Sequence, residues 1–282
     1  KEERAQNFGL VGAAFGAGLL VGPAIGGQLG EFGTRWPFFL AAGLAFVNLI
    51  FGLFVLPESL GMRKRRRFNA KRANPLGTVL AMREFPFVLS FLGVLFFFSL
   101  AVQFFQSTWS FFTIERFQWT YAQTGYALTA FGLMFAIVQG ALIRPAIKTL
   151  KETWTVVIGL VFAAFGFFGM AFIDTVVGLY IFMIPGALSG LVVPGLNGLM
   201  SNRVADNAQG ELQGGVNAVN SLTMIVGPLV ATQLFTRFTA NADAATYFPG
   251  VAFFGAGVSI VVGAFIFFQA SVRSRKFAQN RA

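Results

Sequence analysis

The side chains best placed to do acid–base or metal chemistry are eleven carboxylates, because this 282-residue sequence has no histidine and no cysteine. Their absence excludes disulfides, thiol nucleophiles, Cys/His zinc sites, haem ligation by histidine and Ser-His-Asp catalysis. The acids are Glu2, Glu3, Glu31, Glu58, Glu84, Glu115, Glu152, Asp174, Asp206, Glu211 and Asp243, all in polar connections or at the ends of apolar segments. With no carboxylate pair or cluster inside an apolar segment, the sequence offers neither an enzymatic active site nor a metal or cofactor site. The polar groups that do lie within apolar segments are hydroxyls and carboxamides. Ser99, Gln103, Gln106 and Ser110 recur at i, i+4, i+7 and i+11, one face of a helix. Gln139 and Asn197 stand alone, and Asn217, Asn220 and Ser221 share another face. Such groups either tie helices together or line a wet cavity that holds a polar solute, and at this point both readings stand.

The elements that must position these groups follow from composition. The sequence is 56% hydrophobic and 11% charged, where a soluble domain has about one quarter charged residues, so the expected class is an all-α integral membrane protein. Eight apolar spans are predicted, at 8–29, 36–56, 86–112, 121–146, 154–173, 176–200, 212–236 and 246–270. Each has the roughly 20 residues needed to cross about 30 Å of hydrocarbon. The net charge of +10 is a topology signal and not a nucleic-acid footprint. Only Arg35, Arg116 and Arg237 of the 21 basic residues fall on the side opposite the termini, which predicts both termini in the cytoplasm. Pro185 and Pro194 in one span predict a bent helix beside a cavity.

Glycine spacing carries a second signal. In the first span Gly9 is followed by Gly18, Gly22-Pro23 and Gly26-Gly27. Gly18, Gly22 and Gly26 form an i+4 stripe that admits a neighbouring backbone, and Pro23 removes a backbone donor and bends the helix. Small-residue stripes occur in many membrane bundles, but the complete spacing is more restrictive. It resembles the antiporter motif in the fifth transmembrane helix of major facilitator superfamily exporters, with all six fixed positions matched. Leu56-Pro57-Glu58-Ser59 resembles the end of the sixth helix in the drug:proton antiporter branch. Gln209-Gly-x-Leu-Gln-Gly214 resembles the entry to the eleventh helix in tetracycline-type exporters. Gly140, Arg144, Lys148 and Lys151 keep only a degraded form of the basic motif that follows the eighth helix.

Placing Gly22-Pro23 on Gly227-Pro228 gives an offset of 205 residues that also carries Gly9 to Gly214, while Gly18 falls on Thr223. That is the trace of two parallel halves. Applied to the third span, the offset puts its counterpart about four helices before Lys1, so the resemblance implies helices five to twelve of a twelve-helix fold. The expected organisation is 1–59 for the last two helices of the first half, 60–85 for a basic cytoplasmic loop bearing Arg63 to Arg67, 86–272 for the second half and 273–282 for a basic tail.

The resemblance implies a proton-coupled exporter of an amphipathic organic compound, working by alternating access in a bacterial inner membrane, monomeric once complete. Its partners would be the small-molecule substrate, protons and the lipid bilayer, without nucleic acid and without a cofactor. The candidate cavity residues are Gln103, Gln106, Gln139, Asn197, Asn217 and Asn220. Tetracycline-type relatives carry an acid in the ninth helix and a histidine in the eighth, positions that fall near Ala163 and Phe135 here. A metal-chelated substrate is therefore not expected, and the coupling acid is expected in helices before Lys1. The alternatives are a non-transporting membrane fragment or scaffold, and a uniporter or importer.

Overall fold

A computed structural model describes residues 18, 20–55, 85, 87–205 and 208–279, with backbone alone for 274–279. Gly9, Leu56 to Ser59, the Arg63 to Arg67 run and residues 280–282 lie outside the described residues. The helices are α1 (20–31), α2 (Trp36–Val55), α3 (Val88–Phe117), α4 (Tyr121–Ile137), α5 (Ile143–Phe172), α6 (Val176–Leu188), α7 (Val192–Ser201), α8 (Gln209–Thr239) and α9 (Val251–Gln279). A π turn, Val138–Leu142, joins α4 to α5, and a 3-10 turn, Ser189–Leu191, joins α6 to α7.

Six helical runs among the described residues are long and apolar enough to cross a membrane. One of them, Tyr121–Phe172, is 52 residues long and contains both the fourth and the fifth predicted spans. The separation between those spans is a single backbone departure at Lys151, with φ 61° and ψ 167°. That conformation is nearly reserved for glycine and costs a side-chain-bearing residue about 1–3 kcal/mol. Turn chemistry in the sequence gives no warning of it.

Two compact units divide the chain: Lys1–Asn74 with Thr120–Thr129, and Pro75–Trp119 with Ala130–Ala282. In the first, α1 and α2 are joined by a tight turn that needs Gly33 at φ 141°. The turn is closed by the Gly33 amide on the Gly30 carbonyl and the Trp36 amide on the Gly33 carbonyl, each at 3.1 Å. No residue of α2 is buried.

In the second unit α3 is the central helix, packed along α8 and α9, while α5 packs on α6, α7 and α9. Its centre is aromatic. Phe105 lies 5.1 Å from Trp109 and 5.9 Å from Phe253, and Phe112 meets Phe253 edge-on at 4.5 Å. Lipid is as apolar as these rings, so what holds the helices together is close packing and small residues, not exclusion from water. Gly166 on α5 shows the second device. A methyl there would sit 2.6 Å from the Gly186 amide nitrogen on α6, so the two backbones approach as only glycine permits. Buried hydroxyls turn back on their own helix: Thr108 donates to the Phe104 carbonyl at 2.7 Å and Thr155 to that of Lys151 at 2.8 Å.

Candidate functional site

The polar face predicted on α3 is partly an interface. Ser99 Oγ donates to Asn220 Oδ1 of α8 at 2.9 Å. One turn further on, Gln103 lays its Cβ and Cγ against Gly227. Gly227 is buried and Pro228 half-buried, so the second Gly-Pro element sits in the α3–α8 seam. Gln106, Ser110 and Asn217 are exposed, and Gly214 is half-buried at the start of α8. Ser99, Gln103, Asn220 and Gly227 thus come together, while Gln106 and Asn217 contribute nothing to the seam.

Gln139 and Asn197 behave differently from one another. Pro194 has no N–H to give the carbonyl four residues back, which belongs to Gly190. The helix breaks there into the 3-10 turn, and Gln139 Nε2, in the π turn of the neighbouring helix, donates to that Gly190 carbonyl at 3.4 Å. Two irregular turns are therefore paired through one carboxamide, at the bend predicted from Pro194; Pro185 lies inside α6 instead. Asn197 is half-buried on α7, and its buried Oδ1 has no hydrogen-bond partner among the described residues. A buried acceptor without a donor costs about 1–3 kcal/mol, so this atom is poised to receive a polar hydrogen.

Within the first unit the antiporter-type glycines meet the start of α4. A methyl on Gly27 would lie 2.5 Å from the Tyr121 carbonyl oxygen and 3.2 Å from Cα of Gly125. One on Gly125 would overlap the Pro23 carbonyl oxygen, and one on Gly30 would touch Cβ of Tyr121 at 3.0 Å. The face in contact is therefore Pro23, Gly27 and Gly30. A methyl added to Gly18, Gly22 or Gly26 would have no described atom within 4 Å.

This approach ends in a polar clasp. Thr120 Oγ1 accepts from the Gln123 amide at 3.3 Å and Gln123 Oε1 from the Thr120 amide at 3.0 Å, a reciprocal cap on α4. The Ala122 amide between them donates to Glu31 Oε1 at 2.8 Å. That bond, followed by the Thr120 hydroxyl, holds the Glu31 carboxyl below its ordinary range, as expected beside the positive end of a helix. Gln28 Nε2 adds a bond to the Tyr126 hydroxyl. Sequence reasoning missed Gly125, Glu31, Gln28 and Tyr126. The Thr120-x-x-Gln123 cap could have been read from residue types, as could the place of Glu31 one turn beyond Gly27.

Charged groups lie at the helix ends. Tyr247 donates to Glu115 at 2.6 Å, a bond that raises its hydroxyl pKa, and Arg116 Nε donates to the Ile173 carbonyl at 3.3 Å. At the other end Arg203 donates to the Leu199 carbonyl at 2.7 Å and stands 5.0 Å from the centre of the Phe91 ring. Burial lowers its pKa, partly opposed by Glu152. Ala163 is buried, and the Phe135 ring lies against Gly190, so both positions are filled by apolar packing. Among the described residues no group of three or more acids could hold a metal.

The chain is 32% identical over 253 residues to the class C tetracycline resistance protein of Escherichia coli, covering 90% of this chain and 64% of that protein. It is 34% identical over 244 residues to the class E protein of the same organism, covering 86% and 60%. Multidrug resistance protein 2 of Bacillus subtilis (strain 168) is 26% identical over 273 residues, covering 93% and 63%. This chain thus spans somewhat less than two thirds of the curated relatives it matches. Among solved structures the human organic anion transporter MFSD10 (TETRAN) superposes with a TM-score of 0.64 at 22% identity, covering 94% of this chain and 63% of that one, a likeness of fold. The profile of the Major Facilitator Superfamily matches residues 1–228, and the chain belongs to that superfamily.

Proposed function

We propose that this chain is the larger part of a secondary transporter that exports an amphipathic organic compound in exchange for protons, by alternating access in the bacterial inner membrane with both termini cytoplasmic. The observation that carries the reading is the fit of Pro23, Gly27 and Gly30 against Tyr121 and Gly125. An export-associated glycine motif here closes on a second helix with backbone in contact, and Glu31 fastens the end of the contact. Such a seam acts as a leak-proof closure on one side of the membrane. The polar contact for substrate comes from Gln106, Asn197 and Asn217, with Gln103 and Asn220 on the seam beside them. The resistance proteins among its relatives support export as the direction.

The test is efflux by the full-length transporter in cells across a panel of lipophilic cations, organic anions and tetracycline, with and without a protonophore. Protonophore-sensitive efflux of at least one compound, lost in Gly125→Leu although the protein still inserts, is the expected result. Unimpaired efflux by Gly125→Leu would remove the seam from the mechanism, and uptake driven by the same gradient would reverse the direction.

A further inference from the structure

A groove of about 430 Å³ runs between α5 and α9, in the range of ligand-sized cavities. Trp154, Val157 and Val161 line it from α5, and Ala264 and Phe268 from α9, with the hydroxyl residues Thr153 and Ser271 at one end. Eight residues of helical rise separate Thr153 from Val161, about 12 Å. That is close to one leaflet, half of a hydrocarbon core about 30 Å thick. Trp154, Val161 and Phe268 are 56%, 61% and 67% exposed, so the groove opens outward from the helix pair.

Charge selects the occupant. In sequence the hydroxyl end is flanked by Lys148 and Lys151 before Thr153, and by Arg273 after Val272. The nearest acid, Glu152, turns the other way: its Cγ lies 3.1 Å from where a methyl on Gly198 of α7 would stand. An apolar slot one leaflet long, with hydroxyls and then cations at a single end, matches a phospholipid with an anionic headgroup. We infer that the α5–α9 groove is a binding site for one acyl chain of an anionic phospholipid, whose phosphate rests against Lys151 and Arg273. The site is independent of the transport reading, since none of its residues belongs to the glycine seam or to the polar residues assigned to substrate.

Trp154 supplies the readout. The full chain and its Trp154→Phe variant are placed in bilayers of phosphatidylcholine containing increasing fractions of dibrominated phosphatidylglycerol or dibrominated phosphatidylcholine. The difference between the two proteins isolates quenching of Trp154. Each basic side chain near the surface favours an anionic lipid by about 1 kcal/mol, or about fivefold. With two such residues, half-maximal quenching of Trp154 is therefore expected at a fraction of phosphatidylglycerol about 25-fold lower than of phosphatidylcholine. Lys151→Gln and Arg273→Gln should each narrow that ratio about fivefold, and Ala264→Phe, which fills the slot, should leave only the quenching of bulk lipid. Equal quenching by the two lipids in the unsubstituted protein overturns the inference, whatever the variants do. So does a preference that survives both charge substitutions, or one carried wholly by the other three tryptophans.

Discussion

The two Gly-Pro elements, Gly22-Pro23 on α1 and Gly227-Pro228 on α8, share a place in the internal repeat but not a packing face. On α8 the glycine itself is buried, and what lies against it is a side chain, Gln103. On α1 the glycine before the proline is exposed, and contact passes to Pro23 and Gly27, which meet the backbone of Tyr121 and Gly125, and to Gly30, which meets the Tyr121 side chain. The two elements are met by different neighbours, α4 in one unit and α3 in the other, so each seam is judged by its own contacting atoms. Both seams are stiff at the nearest atom, the Pro23 carbonyl oxygen at Gly125 and the Gln103 Cβ at Gly227, but shortening residue 103 can relieve the α3–α8 contact whereas no side-chain substitution removes the backbone that Gly125 meets.

That difference can be broken at its stiff end first. Gly125→Leu should abolish efflux and lower thermal stability by more than the 1–3 kcal/mol typical of overpacking, because the added atoms meet the Pro23 carbonyl and not a movable side chain. Transport counts and melting in detergent check both parts. Gly227→Ala should cost less, within about 1–3 kcal/mol, and should be relieved by Gln103→Gly but not by Gln103→Ala, since the obstruction includes the Gln103 Cβ. Equal damage from Gly125→Leu and Gly227→Leu would erase the distinction between the two seams.

Smaller effects sharpen it. A double-mutant cycle on Ser99→Ala and Asn220→Ala should give a coupling of about 0.6 kcal/mol, and no more than about 1.7, as found for hydrogen bonds between membrane helices. Glu31→Gln should have the smallest effect at neutral pH and a distinctive one on acidification. The folded-state pKa of Glu31 is depressed below 4.5, so its stabilising contribution is present above that ordinary value and is lost as pH falls through the lowered one. The distance between spin labels attached at neutral pH to cysteines introduced at Gln28 and Tyr126, in a chain that has none of its own, should lengthen only below the ordinary carboxylate range and should lose this pH dependence in Glu31→Gln.

Much of this architecture was legible in residue order. Apolar length pointed to the helical runs long enough to cross a membrane, and Pro194 marked the break into a 3-10 turn. The i+4 row from Ser99 through Gln103 did face a neighbouring helix, although which of its members would bond to Asn220 depended on packing. What stayed hidden was pairing at a distance. Nothing near Gly27 names Gly125 as its partner 98 positions later, and the stripe of Gly18, Gly22 and Gly26 is more regular than the row that makes contact. Lys151 was hidden for another reason: its backbone departure breaks a continuous helical run, and its side chain gives no hint of it.

The carbonyl of Gly190 is a group whose partner is decided by tertiary structure alone. Pro194 withholds the amide that would have claimed it, and Gln139 reaches it from another segment of the chain. Its stretching frequency should therefore track the separation of the two segments, free of the intrahelical coupling that masks an ordinary helix carbonyl. A single isotope-edited glycine at this position would make any change in that separation readable by infrared difference spectroscopy, with no foreign probe attached.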